Sequence, residues 1–257
     1  MKENELVSII TATYNASAYM EATLTSILSQ TYRNWELLIT DDCSKDDTWE
    51  KLQMWAAKDQ RIKIFRLDTN SGAGIARNNS IQHAQGRYIA FCDSDDQWLP
   101  TKLEEQLAFM HERDCAFSYT SYFVRDEDGR DKGMVKCRKN LSYMNILSDN
   151  KVGCLTALYD TRKVGKMFMP DLRKRQDWGL WINIIKKCGI AYGLQKPLAV
   201  YLDRAGSISS NKLSLVKYNY AVYRKSLGFS ALKSTAAMLF LFFPSYMAKK
   251  LTQKVGF

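Results

Sequence analysis

Asp93, Asp95 and Asp96 fall within four positions of one another in FCDSDDQW (residues 91–98), directly after RYIAFC (87–92), an apolar run of strand length. Two like charges about 4 Å apart repel by roughly 4 kcal/mol at an effective dielectric near 20. Capping of the following helix by Asp96 or Asp93 would offset part of that repulsion. A divalent cation would offset more. Carboxylate oxygens are hard ligands suited to Mg²⁺ or Mn²⁺, and Mg²⁺ commonly combines one or two carboxylates with substrate phosphate oxygens. The position at the end of a strand favours the cation over the cap.

Other groups have suitable chemistry. Asp41 and Asp42, in TDDCS (40–44), can accept a hydrogen bond from a base N–H or a ribose hydroxyl, or simply cap a turn. Tyr14, in TATYN (11–15), can stack on a base, a contact worth roughly 1–3 kcal/mol. SGAGIARNN (71–79) places Gly72 and Gly74 before a helix, but Arg77 stands where a dinucleotide fingerprint needs its third glycine. Glycines at a helix start still admit a phosphate, which Arg77 can pair. The competing reading is a turn with a surface arginine. Asp177 begins a helical pattern among Arg173, Lys174 and Arg175; helix dipole and neighbouring cations favour its ionised form, as a general base or as an ordinary first-turn acid.

The elements that must position these groups alternate between two periods. LVSIITA (6–12), WELLIT (35–40), IKIFR (62–66) and RYIAFC (87–92) read as strands. Helical spacing follows each: Met20, Leu24, Ile27 and Leu28, with Asn15 or Ser17 as cap; residues 48–57; residues 75–84; and a helix opened by Pro100 with Leu103, Leu107 and Met110. Strand and helix in alternation imply right-handed crossovers and a parallel sheet covered on both faces. Ligands bind such sheets beyond the carboxyl ends of the strands, and TATYN, TDDCS and CDSDD all fall on that edge. Further on, AFSYTSYFV (116–124) and CLTALYD (154–160) read as strands, RDEDGRDKG (125–133) as a turn, and RQDWGLWINIIKKCG (175–189) as a helix stopped by Gly189.

A chain of 257 residues with 46% hydrophobic and 12% aromatic residues can bury a sizeable core, which excludes a disordered protein. The six cysteines are scattered without a CxxC pair, pointing to reduced thiols rather than zinc or disulfides. MKENELVSII has no long apolar segment of the secretory type. Net charge is +10, and from Arg204 to Phe257 nine Lys or Arg occur with no Asp or Glu, which suits an anionic surface. Residues 236–251 hold about a dozen apolar positions where a bilayer span needs roughly 20, so an interfacial helix or a helix packed on the domain is expected.

VSIITATYN, LLITDDCSKDDT, NSGAGIARNNSI, GRYIAFCDSDDQWLP and RQDWGLW together resemble the successive motifs of family 2 glycosyltransferases, from residue 7 to about residue 210. The resemblance implies an α/β GT-A fold: a nucleotide-sugar-binding half (1–113), an acceptor-binding half (114–210) and a C-terminal helical segment (211–257). It implies inverting transfer from a nucleoside-diphosphate sugar, of the UDP type, to a glycan or lipid-linked acceptor at the inner face of a bacterial membrane. A divalent cation, Mg or Mn, would sit on the DxD pair Asp93 and Asp95, with Asp95 favoured as direct ligand. Asp177 matches the catalytic base. The implied nucleotide-binding set is Ala12, Tyr14, Asp41, Asp42, Gly72, Arg77, Asp93, Ser94 and Arg204. Two departures stand out: Ala12 replaces a common proline, and YLDRAGSISS (201–210) offers Arg204 where many members carry a metal-binding histidine. No nucleic acid partner is expected. The rivals are a nucleotidyltransferase on a related sheet and a basic membrane- or nucleic-acid-binding module.

Overall fold

The alternating runs form strands and helices in turn: β1 (Val7–Thr13), α1 (Met20–Leu28), β2 (Trp35–Asp41), α2 (Thr48–Lys58), β3 (Ile62–Arg66), α3 (Ala73–His83) and β4 (Tyr88–Phe91). The less regular second half supplies β5 (Gln97–Trp98), α4 (Lys102–Glu112), β6 (Phe117–Asp126), β7 (Asp131–Val135), β8 (Asn140–Ser142), α5 (Tyr143–Leu147), β9 (Leu158–Asp160), α6 (Thr161–Val164), α7 (Gln176–Cys188), β10 (Ile190–Asp203), α8 (Lys212–Ala221) and α9 (Ala231–Ala237). This is a computed structural model that describes residues 5–204 and 212–248.

The sheet runs β3-β2-β1-β4-β9-β6-β10-β5, with β7 beside β6 and β8 beside β10. β3, β2, β1 and β4 are mutually parallel, and β6 is parallel to β10. β9 lies antiparallel between β4 and β6, so both parallel blocks point the same way. β1 has β2 on one side and β4 on the other. That is the place where successive crossovers depart in opposite directions, leaving a crevice beyond the strand ends.

Strand alternation fixes the faces. Ile10, Leu38 and Phe91 point into the layer covered by α3 and α7, whereas Ile9, Leu37 and Ala90 face α1 and α4. Both faces are buried, so these strands read as continuous apolar runs.

Local details differ from the sequence reading. Residues 97–98 form β5 against Ala199 and Val200 of β10, which pushes the start of α4 back; Pro100 precedes the N-cap Thr101 instead of opening the helix. Neither Asp93 nor Asp96 caps α4. Neither Asn15 nor Ser17 caps α1, whose N-cap is Tyr19; Asn15 instead takes a left-handed turn with φ 47°. CLTALYD splits into a 3₁₀ turn (Cys154–Thr156) and the short β9. All six cysteines are free.

At the C-terminus, α9 runs on through a π-helical turn (Met238–Phe242) to make an 18-residue apolar helix, Ala231–Ala248. At 1.5 Å per residue it is about 27 Å long, longer than the dozen apolar positions suggest. Ser234, Ala237, Met238 and Phe242 are buried on the domain. The Phe242 ring lies 6.4 Å from Trp178 of α7, which also meets Tyr223 edge-on at 5.7 Å.

Candidate active site

The ends of β1 and β2 are stitched together first. The Asp42 N–H donates to the Thr13 carbonyl at 2.8 Å. Asp41 is turned into its own turn, accepting from the Ser44 N–H at 3.0 Å and from the Ser44 hydroxyl, with Arg66 Nε 3.4 Å away. Asp42 does something else. Its Oδ1 accepts from the Ser71 N–H at 2.7 Å and its Oδ2 from the Gly72 N–H at 2.8 Å. One carboxylate thereby anchors the loop entering α3, and each oxygen keeps a second lone pair. Ala12 is buried, and Tyr14, beyond the end of β1, is 43% exposed.

The glycines of SGAGIARNN make room for protein. A Cβ on Gly72 would come within 2.9 Å of Arg173 Nη1, and one on Gly74 within 3.2 Å of Gln176 Cγ. Gly72 also holds φ +99°, which favours glycine. The start of α3 therefore packs closely on the start of α7, and this contact brings Arg77 toward Asp177.

At the end of β4 each of the three aspartates has its own partner. Asp93 Oδ1 accepts from Arg77 Nη2 at 2.5 Å. Asp95 Oδ2 accepts from Arg204 Nε at 2.7 Å. Asp96, 2% exposed, accepts the Leu202 N–H of β10 at 3.1 Å. Burial, then the charges of Asp95 and Asp93, push the Asp96 carboxyl well above the usual carboxylate range. Burial and Asp93 also raise Asp95, while Arg204 pulls it back. Burial alone would lower Arg77, but Asp93, with lesser help from Cys154 and Asp177, outweighs it and raises the group. Arg77 is 7% exposed, and its Nε is buried without an acceptor. Ser94 lines a small hollow with Thr11 and Thr13 of β1.

Asp177 lies in the first turn of α7, which starts from Arg175 in a left-handed conformation, φ 65°. Asp177 Oδ2 accepts from Asn150 Nδ2 at 2.7 Å. The Asn150 amide is oriented because its Oδ1 accepts the Val152 N–H at 3.3 Å. Arg77 feels Asp93 and Asp177 together, so base candidate and DxD share one neighbourhood.

The carboxylate oxygens of Asp93 and Asp95 fit Mg²⁺ or Mn²⁺ by hardness. Among the described residues no group of three His, Cys, Asp or Glu side chains is arranged to hold a metal. A cation here must complete its shell with substrate phosphate oxygens and water, a usual habit of Mg²⁺.

The chain matches the family Glycosyl transferase family 2 over residues 8–167. It is a family 2 glycosyltransferase. Among curated relatives, the glycosyltransferase is 44% identical over 232 residues to TuaG of Bacillus subtilis (strain 168), named for teichuronic acid biosynthesis, covering 90% of this chain and 92% of TuaG. It is 38% identical to WfaP of Escherichia coli, named UDP-Glc:alpha-D-GlcNAc-diphosphoundecaprenol beta-1,3-glucosyltransferase, over 88% of each chain. Among solved structures, S. aureus TarS 1–349 in complex with UDP-GlcNAc superposes with a TM-score of 0.69 at 21% identity, over 90% of this chain and 70% of that one; at that identity the likeness shows the fold. Family membership sets aside the nucleotidyltransferase and the plain binding module.

Sequence reasoning missed Asn150, Asp96's tie to β10 and the packing duty of Gly72 and Gly74. Asn150 carries no local signal, because its partner lies 27 residues away. The segment of residues 205–210 lies outside the described residues. Hydrogen bonds to charged groups contribute about 1.5–3 kcal/mol. Asn150→Ala is therefore expected to cut the turnover of the glycosyltransferase about ten- to a hundredfold with donor KM little changed, measured by steady-state kinetics; an unaltered turnover would show that Asn150 does not hold Asp177 for catalysis.

Proposed function

We propose that this glycosyltransferase moves a sugar, with inversion, from a UDP-sugar to a hydroxyl of a lipid-linked or glycan acceptor in bacterial surface polysaccharide synthesis. The observation that carries the reading is the Asn150-held carboxylate of Asp177 in the neighbourhood of Arg77 and the Asp93–Asp95 pair. WfaP, whose name gives a UDP-Glc donor and a diphosphoundecaprenol-linked acceptor, and TuaG, named for teichuronic acid biosynthesis, support the substrate class.

In this reading residues 1–113 hold the donor and residues 114–210 the acceptor. Tyr14 stacks on the base and Asp42, through its remaining lone pairs, takes the uracil edge. A divalent cation on Asp95 and Asp93 supplies positive charge to the diphosphate as it departs. Arg77, buried beside Asp93, and Arg204 add positive charge to the neighbourhood of the departing diphosphate. As the acceptor hydroxyl forms its bond to the anomeric carbon from the face opposite the breaking bond to diphosphate, its proton passes to the free oxygen of Asp177. Asn150 holds the other oxygen, Oδ2.

The C-terminal helix supports contact with an acidic membrane. Leu232, Leu239, Phe240, Phe243, Tyr246 and Met247 are exposed along one side, at 83% for Leu232 and 75% for Phe240, while the opposite stripe is packed on the domain. Lys217, Arg224, Lys225 and Lys233 are exposed nearby with no acid in the segment; Lys249, Lys250 and Lys254 lie outside the described residues. Because one stripe is committed to Trp178 and its neighbours, the helix would lie along the interface, not cross it.

Asp177→Asn should lower transfer by 10²-fold or more, in the range of general-base losses, while UDP affinity by calorimetry stays within about twofold. Retention of most of the transfer rate would remove Asp177 as the base. Replacing Leu239 and Phe240 together by Ser should weaken binding to phosphatidylglycerol-containing vesicles by about tenfold or more, since each large apolar side chain contributes about 1.5–3 kcal/mol when buried; unchanged partitioning in a sedimentation assay would refute the membrane surface.

A further inference from the structure

The two arginines on the DxD carboxylates are held differently. Arg77 is buried within α3, with Nη1 against the Met169 sulfur at 3.9 Å. It is part of the packed interior. Arg204 stands one residue beyond β10, with its guanidinium 5.1 Å from the Tyr19 ring centroid. Tyr19 in turn donates its hydroxyl to Glu127 Oε1 at 2.8 Å, in the turn between β6 and β7. Arg204 reaches Asp95 because the buried Asp96 grips the Leu202 N–H two residues earlier, which sets the register of the strand end against the DSDD turn. Burial would lower the Arg204 pKa, but Asp95 outweighs it and raises it. The ion pair thus occupies Oδ2, one of the two carboxylate oxygens that Asp95 could offer a metal.

A guanidinium and a divalent cation compete for one carboxylate, by occupancy of Oδ2 and by mutual repulsion. We propose that Arg204 is the resident cation of Asp95 in the donor-free enzyme, and that it exchanges for the divalent metal when the donor arrives, passing to the diphosphate. This rests on the reading of the site as a metal-assisted nucleotide-sugar site. The diphosphate is the group that can receive both cations at once, so metal and donor bind as a coupled pair. Free metal is held weakly, and the nucleotide tightens it. Coupling of this kind is reciprocal: whatever factor UDP adds to metal affinity, metal adds to UDP affinity. Arg204 sets the size of that factor, because it suppresses metal binding in the absence of diphosphate and supports it in its presence.

The test is Mn²⁺ binding, read from the free-ion electron paramagnetic resonance signal, for wild type, Arg204→Met and Arg204→Lys, each with and without UDP. Arg204 is partly exposed, its side chain 31% accessible, at a strand end, so both variants should fold, and thermal unfolding checks this. Without UDP, Arg204→Met is expected to bind Mn²⁺ about tenfold more tightly than wild type, the size of one charge-assisted hydrogen bond. UDP should then tighten Mn²⁺ much less in the variant, and Arg204→Lys should fall between the two. Equal or weaker Mn²⁺ binding by free Arg204→Met, with UDP still tightening Mn²⁺ in wild type, would overturn the exchange while leaving the site reading intact. No Mn²⁺ binding by any protein even with UDP would overturn both.

Discussion

Placing Asp93, Asp95 and Asp96 together at the end of a buried strand sets up a repulsion that the rest of the site is arranged to offset. Each carboxylate finds a different answer, and each answer ties in a distant part of the chain. Arg77 comes from α3, Arg204 from the residue after β10, and the Leu202 N–H from β10 itself. Asp96, the most deeply buried, is pushed toward its neutral form by burial and its neighbours. The two before it, Asp93 and Asp95, keep cationic partners. Such a site suits a substrate that carries both a metal and a diphosphate, because each brings charge opposite in sign to one member of a carboxylate–arginine pair.

The cleft also depends on close packing between two helix starts. Gly72 and Gly74 let α3 approach Arg173 and Gln176, and Asp42 fixes the loop before α3 through two backbone amides. Arg77 lies close enough to Asp177 to feel its charge. Behind Asp177, Trp178 packs against Tyr223 and Phe242, so the helix that carries Asp177 rests directly on the C-terminal helix. In the proposed membrane-bound enzyme Asp177 and the docking surface are therefore parts of one packed unit.

How much of this was legible beforehand follows from the range of each interaction. The strands of the first hundred residues and their common edge were readable, because buried parallel strands announce themselves as short apolar runs. Asp93, Asp95 and Asp177 were picked out by local spacing and family resemblance. Pro100 misled, since the two-residue β5 is created by pairing with β10 and has no periodicity of its own. Gly72 and Gly74 looked like phosphate glycines, yet the surface they accommodate belongs to residues about a hundred positions later. Asn150 was invisible for the same reason: its bond to Asp177 exists only through what folds against the loop.

The central claim is that the Asp93–Asp95 edge, flanked by Arg77 and Arg204, is a site for a nucleoside diphosphate carried with a divalent cation. Calorimetric titration of the wild-type enzyme with UDP, in Mn²⁺ and then in excess chelator, tests it most directly. The account predicts that UDP affinity falls at least about tenfold when the metal is removed. Equal affinity with and without Mn²⁺ would contradict it.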